Sequence, residues 1–364
     1  MMFRIKIVGA GSIGNHIAHA AVSRGWQVTL TDIDPAALER TRSSTYPGRY
    51  GAWNDAILLK DSRAALGDKA DVVFIGTPPD THIALANAEL DAAPPRALLI
   101  EKPLCGPDLK GCAALLARTR RMGIFAGVGY NHTLTANTLR AEELLRTGAT
   151  GPVVAISART REHWGGIFKA HPWLSGPADS YLGFAARGGG AAGEHSHGIN
   201  IWQHFANAVG AGKVHEVTGL LDMVEDGKVS YDRLVLAGFR TVEGLIGEVI
   251  QDVVTAPPEK LCRIQGRDGF VEWRVNHKPG FDAVISGDGE RSEEQLLAKT
   301  RADDFKTEIE HLEAILDGKR QDSPIALERG LDTMLVIAAI FRSHATGRKV
   351  RIDWSAGHVP DALH

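Results

Sequence analysis

Cysteine is scarce in this chain: three in 364 residues, at Cys105, Cys112 and Cys262, with no CxxC or zinc-finger spacing. That excludes a disulfide-stapled scaffold and a thiolate metal centre, and it suits a reduced, cytoplasmic setting. A surplus of charge is missing too. The 41 Lys and Arg nearly balance the 44 Asp and Glu, leaving a net charge of -3. There is no basic footprint for nucleic acid or an anionic membrane surface. No apolar run approaches the roughly 20 residues of a membrane span. The opening "MMFRIKIVGAG" is short and broken by Arg4 and Lys6, so it reads as a first strand rather than a leader. No internal repeat or low-complexity tract is visible.

What is present is ordinary globular material, 44% hydrophobic and 23% charged, at a length expected to form about two domains. The first 130 residues alternate between strand and helix. "FRIKIV" and "QVTLTD" are strands around a helix marked by Ile13, Ile17, Ala20 and Ala21, with Gly25 as its stop. "DVVFIGTP" and "RALLIEKP" are almost continuously apolar, as strands buried on both faces are. Asp80 is expected to cap one helix, a second is expected over Asp108 to Arg121, and "IFAGVGYN" closes the sheet. This is the pattern of an α/β, doubly wound parallel sheet, a Rossmann domain over residues 1–130. From 131 to 364 the texture becomes that of an α+β domain on a large, mostly antiparallel sheet. A helix near Leu134 to Arg146 leads into alternating strands, with two late helices near Asp304 to Leu316 and Ile325 to His344.

Gly9, Gly11 and Gly14 with Ser12 and Ile13 spell GxGxxG between a strand and a helix. Glycines there permit the tight turn and close backbone approach, and the helix N-terminus meets a pyrophosphate. Asp32, ending the second strand eighteen residues past Gly14, can accept hydrogen bonds from ribose hydroxyls and repel a 2′-phosphate. NAD is therefore expected over NADP.

Three more motifs follow successive strands: "TPPDTH" (Thr77 to His82), "EKP" (Glu101 to Pro103) and "VGYN" (Val128 to Asn131). With the glycine fingerprint, the later "GGG…H" segment and the tail "FRSHATGRKVRI", the chain resembles the Gfo/Idh/MocA family of nicotinamide-dependent oxidoreductases. The resemblance implies a Rossmann domain and a sheet-rich substrate domain with chemistry at their junction. It implies that Thr77, Pro78, His82, Glu101, Lys102 and Asn131 lie along the cofactor, and that Lys102 reaches the reacting carbinol, often beside a cis Lys102–Pro103 bond. It also implies a sugar or cyclitol as substrate and a homodimer or homotetramer.

The stretch "GGGAAGEHSHGINIW" holds the remaining candidates. Hydride removal from an alcohol needs a base, and histidine suits it. The family's motif is an aspartate, a histidine four residues later and an acid three beyond. His197 and Asn200 fit its second half, but the position four before His197 is Gly193, and the acid, Glu194, comes one residue late; anchored on the glycines instead, Glu194 aligns with the aspartate and Gly198 with the histidine. His197 is taken as general base, Glu194 as its orienting carboxylate, and Asn200 as a positioning group that cannot ionise. Were the segment a strand, His195 and His197 would share a face with Glu194 near by, a set zinc or iron accepts. Nothing completes it, and no metal is expected. The irregular run Arg159 to Arg187 offers Arg161, Trp164, Lys169 and His171, with His195 and Asn200, as substrate contacts, although each can equally serve packing. A second reaction class fits the same site: transient oxidation that permits elimination or hydration, with the hydride returned and no net use of NAD.

Overall fold

A computed structural model describes residues 2–171 and 173–364. The chain begins with β1 (Arg4–Val8), α1 (Ser12–Ser23), β2 (Gln27–Asp32) and α2 (Pro35–Arg40). A π-helical turn at Thr41–Thr45 leads into α3 (Tyr46–Tyr50), β3 (Ile57–Asp61) and α4 (Ser62–Ala65). Then come β4 (Val72–Ile75), α5 (Pro79–Ala92), β5 (Ala97–Ile100), α6 (Cys112–Arg121) and β6 (Phe125–Val128). The six strands pair in the order β3-β2-β1-β4-β5-β6, all parallel. β4 and β5 are buried at every position, as their apolar runs require. β1 carries one charge inside this core. Lys6 is 1% exposed and meets Glu89 of α5 at 2.5 Å, with the Ala65 and Asp68 carbonyls as further acceptors. A buried cation is tolerable only when paired and hydrogen-bonded in this way.

The second part runs through α7 (Ala136–Arg146), β7 (Val153–Arg161), α8 (Gly165–Ala170), α9 (Gly190–Glu194) and α10 (His197–Ala208). Seven strands follow: β8 (Val214–Glu225), β9 (Ser230–Thr241), β10 (Ile246–Asp252), β11 (Glu259–Gly266), β12 (Phe270–Lys278), β13 (Phe281–Gly287) and β14 (Ser292–Ala298). The chain ends with α11 (Arg301–Leu316), α12 (Leu327–Thr346) and β15 (Val350–Arg351). The nine-stranded sheet has the order β14-β13-β12-β11-β7-β10-β9-β8-β15, antiparallel except where β10 runs parallel to β7. No described helix is long and apolar enough to cross a membrane.

The chain forms two compact units, and a single cut at 130 does not separate them. One holds the residues up to 104, with 114–131 and 301–328; the other holds 105–113, 132–300 and 329–364. α11 belongs with the first because it packs on α1: Arg24 pairs with Glu313 at 3.0 Å and Glu310 at 3.3 Å, and Phe305 stacks on His16. Nothing in an amphipathic helix's own sequence says which sheet it returns to.

Other local expectations need correction. Pro78, not Asp80, is the N-cap of α5, with Asp80 in its first turn. The helix expected from Asp108 begins at Cys112, and pairing in "IFAGVGYN" stops at Val128. The 159–187 run is not structureless: β7 extends to Arg161, α8 follows, and three 3-10 turns cover Pro177 to Arg187. The glycine-rich stretch is helical, so His195 and His197 share no strand face. The short β3 and the meander β12 to β14 were not anticipated. In β14, "SEEQLLA", the residues are nearly all exposed and apolar alternation is absent.

Candidate active site

In the first unit, the turn after β1 is shaped by contacts that leave no room for side chains. Gly9 has φ +111, and a Cβ there would lie 2.8 Å from the Gly76 carbonyl oxygen. A Cβ on Gly14 would meet the Gly9 carbonyl oxygen at 2.0 Å. Gly11 differs: nothing lies within 4 Å of its Cβ position. The protein's own packing does not demand glycine there, whereas a ligand approaching the backbone does. Gly11 caps α1 without a side-chain bond, and no acid stands in the helix's first turn. The free N–H groups and positive dipole end are left to an anion.

Asp32 closes this turn from the end of β2. Its Oδ2 accepts the Ala10 N–H at 2.8 Å and its Oδ1 the Asp34 N–H at 2.9 Å. A carboxylate has about four lone-pair sites, so both oxygens keep capacity for hydroxyl donors. Asp34 is itself occupied, capping α2 at the Ala36 N–H and pairing with Arg40 at 3.3 Å.

The other expected residues follow β4, β5 and β6, at the same carboxyl edge of the parallel sheet. The Thr77 and Thr81 hydroxyls lie 2.7 Å apart. His82 is fully buried, its Nε2 2.7 Å from the Thr77 carbonyl and its Nδ1 3.1 Å from that of Leu104. It ties the turn after β4 to the turn after β5. Burial holds its pKa down at about 4, against the pull of those carbonyls, so the ring is neutral. The Lys102–Pro103 bond is cis, as the resemblance implies, and Ala256–Pro257 is a second, unanticipated one. Gly129 of "VGYN" lies so close to the Glu101 carboxylate that a Cβ would meet it at 2.7 Å. Asn131 is 4% exposed, and its Oδ1 has no hydrogen-bond partner among the described residues. A buried acceptor with no partner after β6 and a glycine turn after β1, both at the carboxyl edge of one parallel sheet, fit a bound nicotinamide dinucleotide.

In the second unit, α9 and α10 carry the acid and the histidines. A Cβ on Gly193 would collide with the Gly188 carbonyl oxygen at 2.0 Å, and one on Gly190 with Asp232 Oδ1 at 2.0 Å. Position 193, four before His197, therefore admits no side chain. Glu194, the next residue, accepts the Tyr181 hydroxyl at 2.9 Å. His195 is buried with its Nε2 3.1 Å from the Glu162 carbonyl. His197 begins α10 and stacks on His132, ring centroids 4.2 Å apart at 25°. Asn200 is buried and donates from Nδ2 to Thr333 Oγ1 of α12 at 3.1 Å. Asp232 fixes the start of α9 by accepting the Ala192 N–H at 2.6 Å, and burial pushes its carboxyl up to about 7.

The remaining substrate candidates differ in freedom. Arg161 is held 2.6 Å from Asp252, which also accepts from Val254, Thr255 and the Thr255 hydroxyl. Trp164 is buried against Tyr231 at 4.9 Å. Lys169 is exposed on α8, and His171 Nδ1 lies 2.7 Å from the Ile167 carbonyl.

Comparison with known proteins fits this geometry. Residues 3–130 match the Gfo/Idh/MocA oxidoreductase family, described as an NAD-binding Rossmann fold. Over 126 residues the chain is 29% identical to 1-carboxy-3-chloro-3,4-dihydroxycyclohexa-1,5-diene dehydrogenase of Comamonas testosteroni. That stretch is 35% of this chain and spans 29% of the relative's length. The whole fold is similar to levoglucosan dehydrogenase solved with NADH and L-sorbose, at 18% identity and TM-score 0.76, over 96% of this chain and 99% of that one. It is also similar to aldose-aldose oxidoreductase of Caulobacter crescentus solved with glycerol, at 20% identity and TM-score 0.74, over 97% and 100%.

Two residues escaped the sequence reading. His132 follows Asn131 directly and is marked by its ring contacts with His197 and Trp273. Arg49 belongs to no motif, yet it donates to Ser12 at the glycine turn.

Proposed function

We propose that the protein is an NAD-dependent dehydrogenase that moves a hydride between nicotinamide and a secondary hydroxyl, or the matching ketone, of a sugar, amino sugar or cyclitol. The observation that carries this reading is Gly11, open at its Cβ position in a turn otherwise closed by Gly9, Gly14 and Asp32. The backbone of residues 9–14 holds the pyrophosphate, and Asp32 takes the ribose hydroxyls and disfavours a 2′-phosphate. Asn131 Oδ1 accepts from the nicotinamide amide or a substrate hydroxyl. NAD, when bound, accepts or returns the hydride.

The chain's own side chains handle the oxygen and its proton. Lys102 donates to the reacting oxygen as negative charge develops on it. His197 takes the hydroxyl proton, which suits an imidazole near neutral pH. Glu194, held by Tyr181, and Asn200, held by Thr333, position substrate and base. Lys169 and His171 are the substrate-facing members of their segment, while Arg161 and Trp164 frame it. The sugar reading draws on the relatives named for levoglucosan and aldoses, and the ring-diol reading on the Comamonas dehydrogenase.

The test follows reduced-nicotinamide absorbance with NAD and a panel of sugars, amino sugars, sugar nucleotides and cyclitols, with product analysis. Reduced cofactor accumulating with an oxidised product is expected. Substrate that disappears only when NAD is present, leaving no net reduced cofactor, would replace this reading with redox-assisted elimination or hydration. Failure to bind NAD at all would overturn both.

A further inference from the structure

We propose that Arg49 is the cationic half of the pyrophosphate site, an inference that rests on the NAD reading above. α3 brings Arg49 against the first residue of α1. Its Nη1 donates to the Ser12 carbonyl and its Nη2 to Ser12 Oγ, each at 2.7 Å. Both acceptors are neutral. Tyr50, Arg301 and His16 act on this guanidinium electrostatically, and among the described residues no carboxylate hydrogen-bonds or ion-pairs with it. Burial lowers the Arg49 pKa and Arg301 adds to that, but a guanidinium stays charged. A half-buried cation without a counter-ion is unfavourable. An anion at the adjacent helix N-terminus would supply the missing charge.

The guanidinium is not free to swing away. The Tyr50 hydroxyl lies 2.5 Å from His16 Nδ1, and His19 stacks on the Tyr50 ring with centroids 3.6 Å apart. His16 also stacks on Phe305 at 4.6 Å. This lattice pins α3 to α1. Burial, with Arg49 and Arg301 near by, lowers the His16 pKa to about 3, so its ring is neutral and does not compete for the anion.

The chemistry is complementary to two linked phosphates. Arginine has five N–H donors, and two are engaged with Ser12. Because Ser12 Oγ accepts from Arg49, its own proton is directed elsewhere and can reach a phosphate oxygen. Backbone amides accept any phosphate, whereas a planar guanidinium adds paired, directional hydrogen bonds. Arg49 thereby distinguishes a dinucleotide's pyrophosphate from the rest of the ligand.

The experiment is titration calorimetry of the intact protein with NAD, ADP-ribose and adenosine, for wild type, Arg49→Met and Arg49→Lys. Arg49→Met is expected to weaken NAD and ADP-ribose by about tenfold or more and to leave adenosine unchanged. Arg49→Lys restores charge without the planar fork and should recover part of the loss. ADP-ribose binding to Arg49→Met as tightly as to wild type, with only a lower melting temperature, would make Arg49 a structural strut and overturn the proposal. Should Arg49→Met not fold, Arg49→Lys decides: intermediate weakening supports the role, and unchanged ADP-ribose affinity overturns it. Wild type that binds neither NAD nor ADP-ribose would remove the NAD reading itself, and this proposal with it.

Discussion

The two units shape their candidate groups by different means. In the first, backbone does most of the shaping. Gly9, Gly14 and Gly129 each sit where a neighbouring atom forbids a side chain, and strand ends present their amides and carbonyls at one edge. In the second, side chains hold one another: Glu194 on Tyr181, His197 on His132, Asn200 on Thr333. A backbone site repeats its glycines at fixed spacing. A side-chain site depends on which elements pack together, and spacing does not record that.

The sharpest break between the two kinds of site is in turnover. Substituting Lys102→Ala or His197→Ala should lower kcat about a hundred- to ten-thousand-fold, the range for losing a positioned acid, base or charge stabiliser. Steady-state kinetics on the active substrate measures it, and a loss confined to KM would count against both roles.

Stability gives the next largest effect. Lys6→Met leaves Glu89 buried without its cation, which costs about 3–5 kcal/mol. Denaturant unfolding reads this, and a midpoint near wild type would mean the pair is dispensable. In the second unit, Gly193→Ala drives a Cβ at the Gly188 carbonyl and should cost about 1–3 kcal/mol by overpacking. The double change Gly193→Asp with Glu194→Gly, which restores the family's spacing, should lose activity for the same steric reason. Activity kept by that double variant would show that the turn relaxes easily.

Smaller effects appear in pH dependence, and individual buried groups oppose each other. His82 and His16, in the first unit, have folded pKa values of about 4 and 3, below the unfolded 6.5. Their contribution is present above pH 6.5 and is lost as pH falls through those folded values. Asp232, in the second unit, is raised from 3.8 to about 7. Its contribution is full below 3.8 and is lost as pH rises through 7. Hydrogen exchange read by peptide mass should show the segments around His82 and His16 loosening in acid. Asp232→Asn, which keeps an oxygen for the Ala192 N–H, should flatten the loosening of α9 toward alkaline pH. An α9 slope unchanged by Asp232→Asn would contradict this.

Legibility followed the same division. The parallel core, the glycine turn, Asp32 and the motifs after β4, β5 and β6 were readable because each leaves a residue type at a strand end. The destination of α11 was not, since its contacts with Arg24 and His16 are tertiary. Nor was the exclusion of a side chain at residue 193, because the Gly188 carbonyl that occupies that position is a feature of the folded turn. Arg49 and His132 are ordinary residues in sequence, and only their neighbours at Ser12 and His197 give them meaning.

The most direct test of the division is to measure NAD affinity and turnover together on His197→Ala. The account predicts NAD binding indistinguishable from wild type by calorimetry, with formation of reduced nicotinamide abolished or nearly so. Undiminished turnover, or NAD binding lost along with it, would contradict a first unit that holds the cofactor and a second that supplies the base.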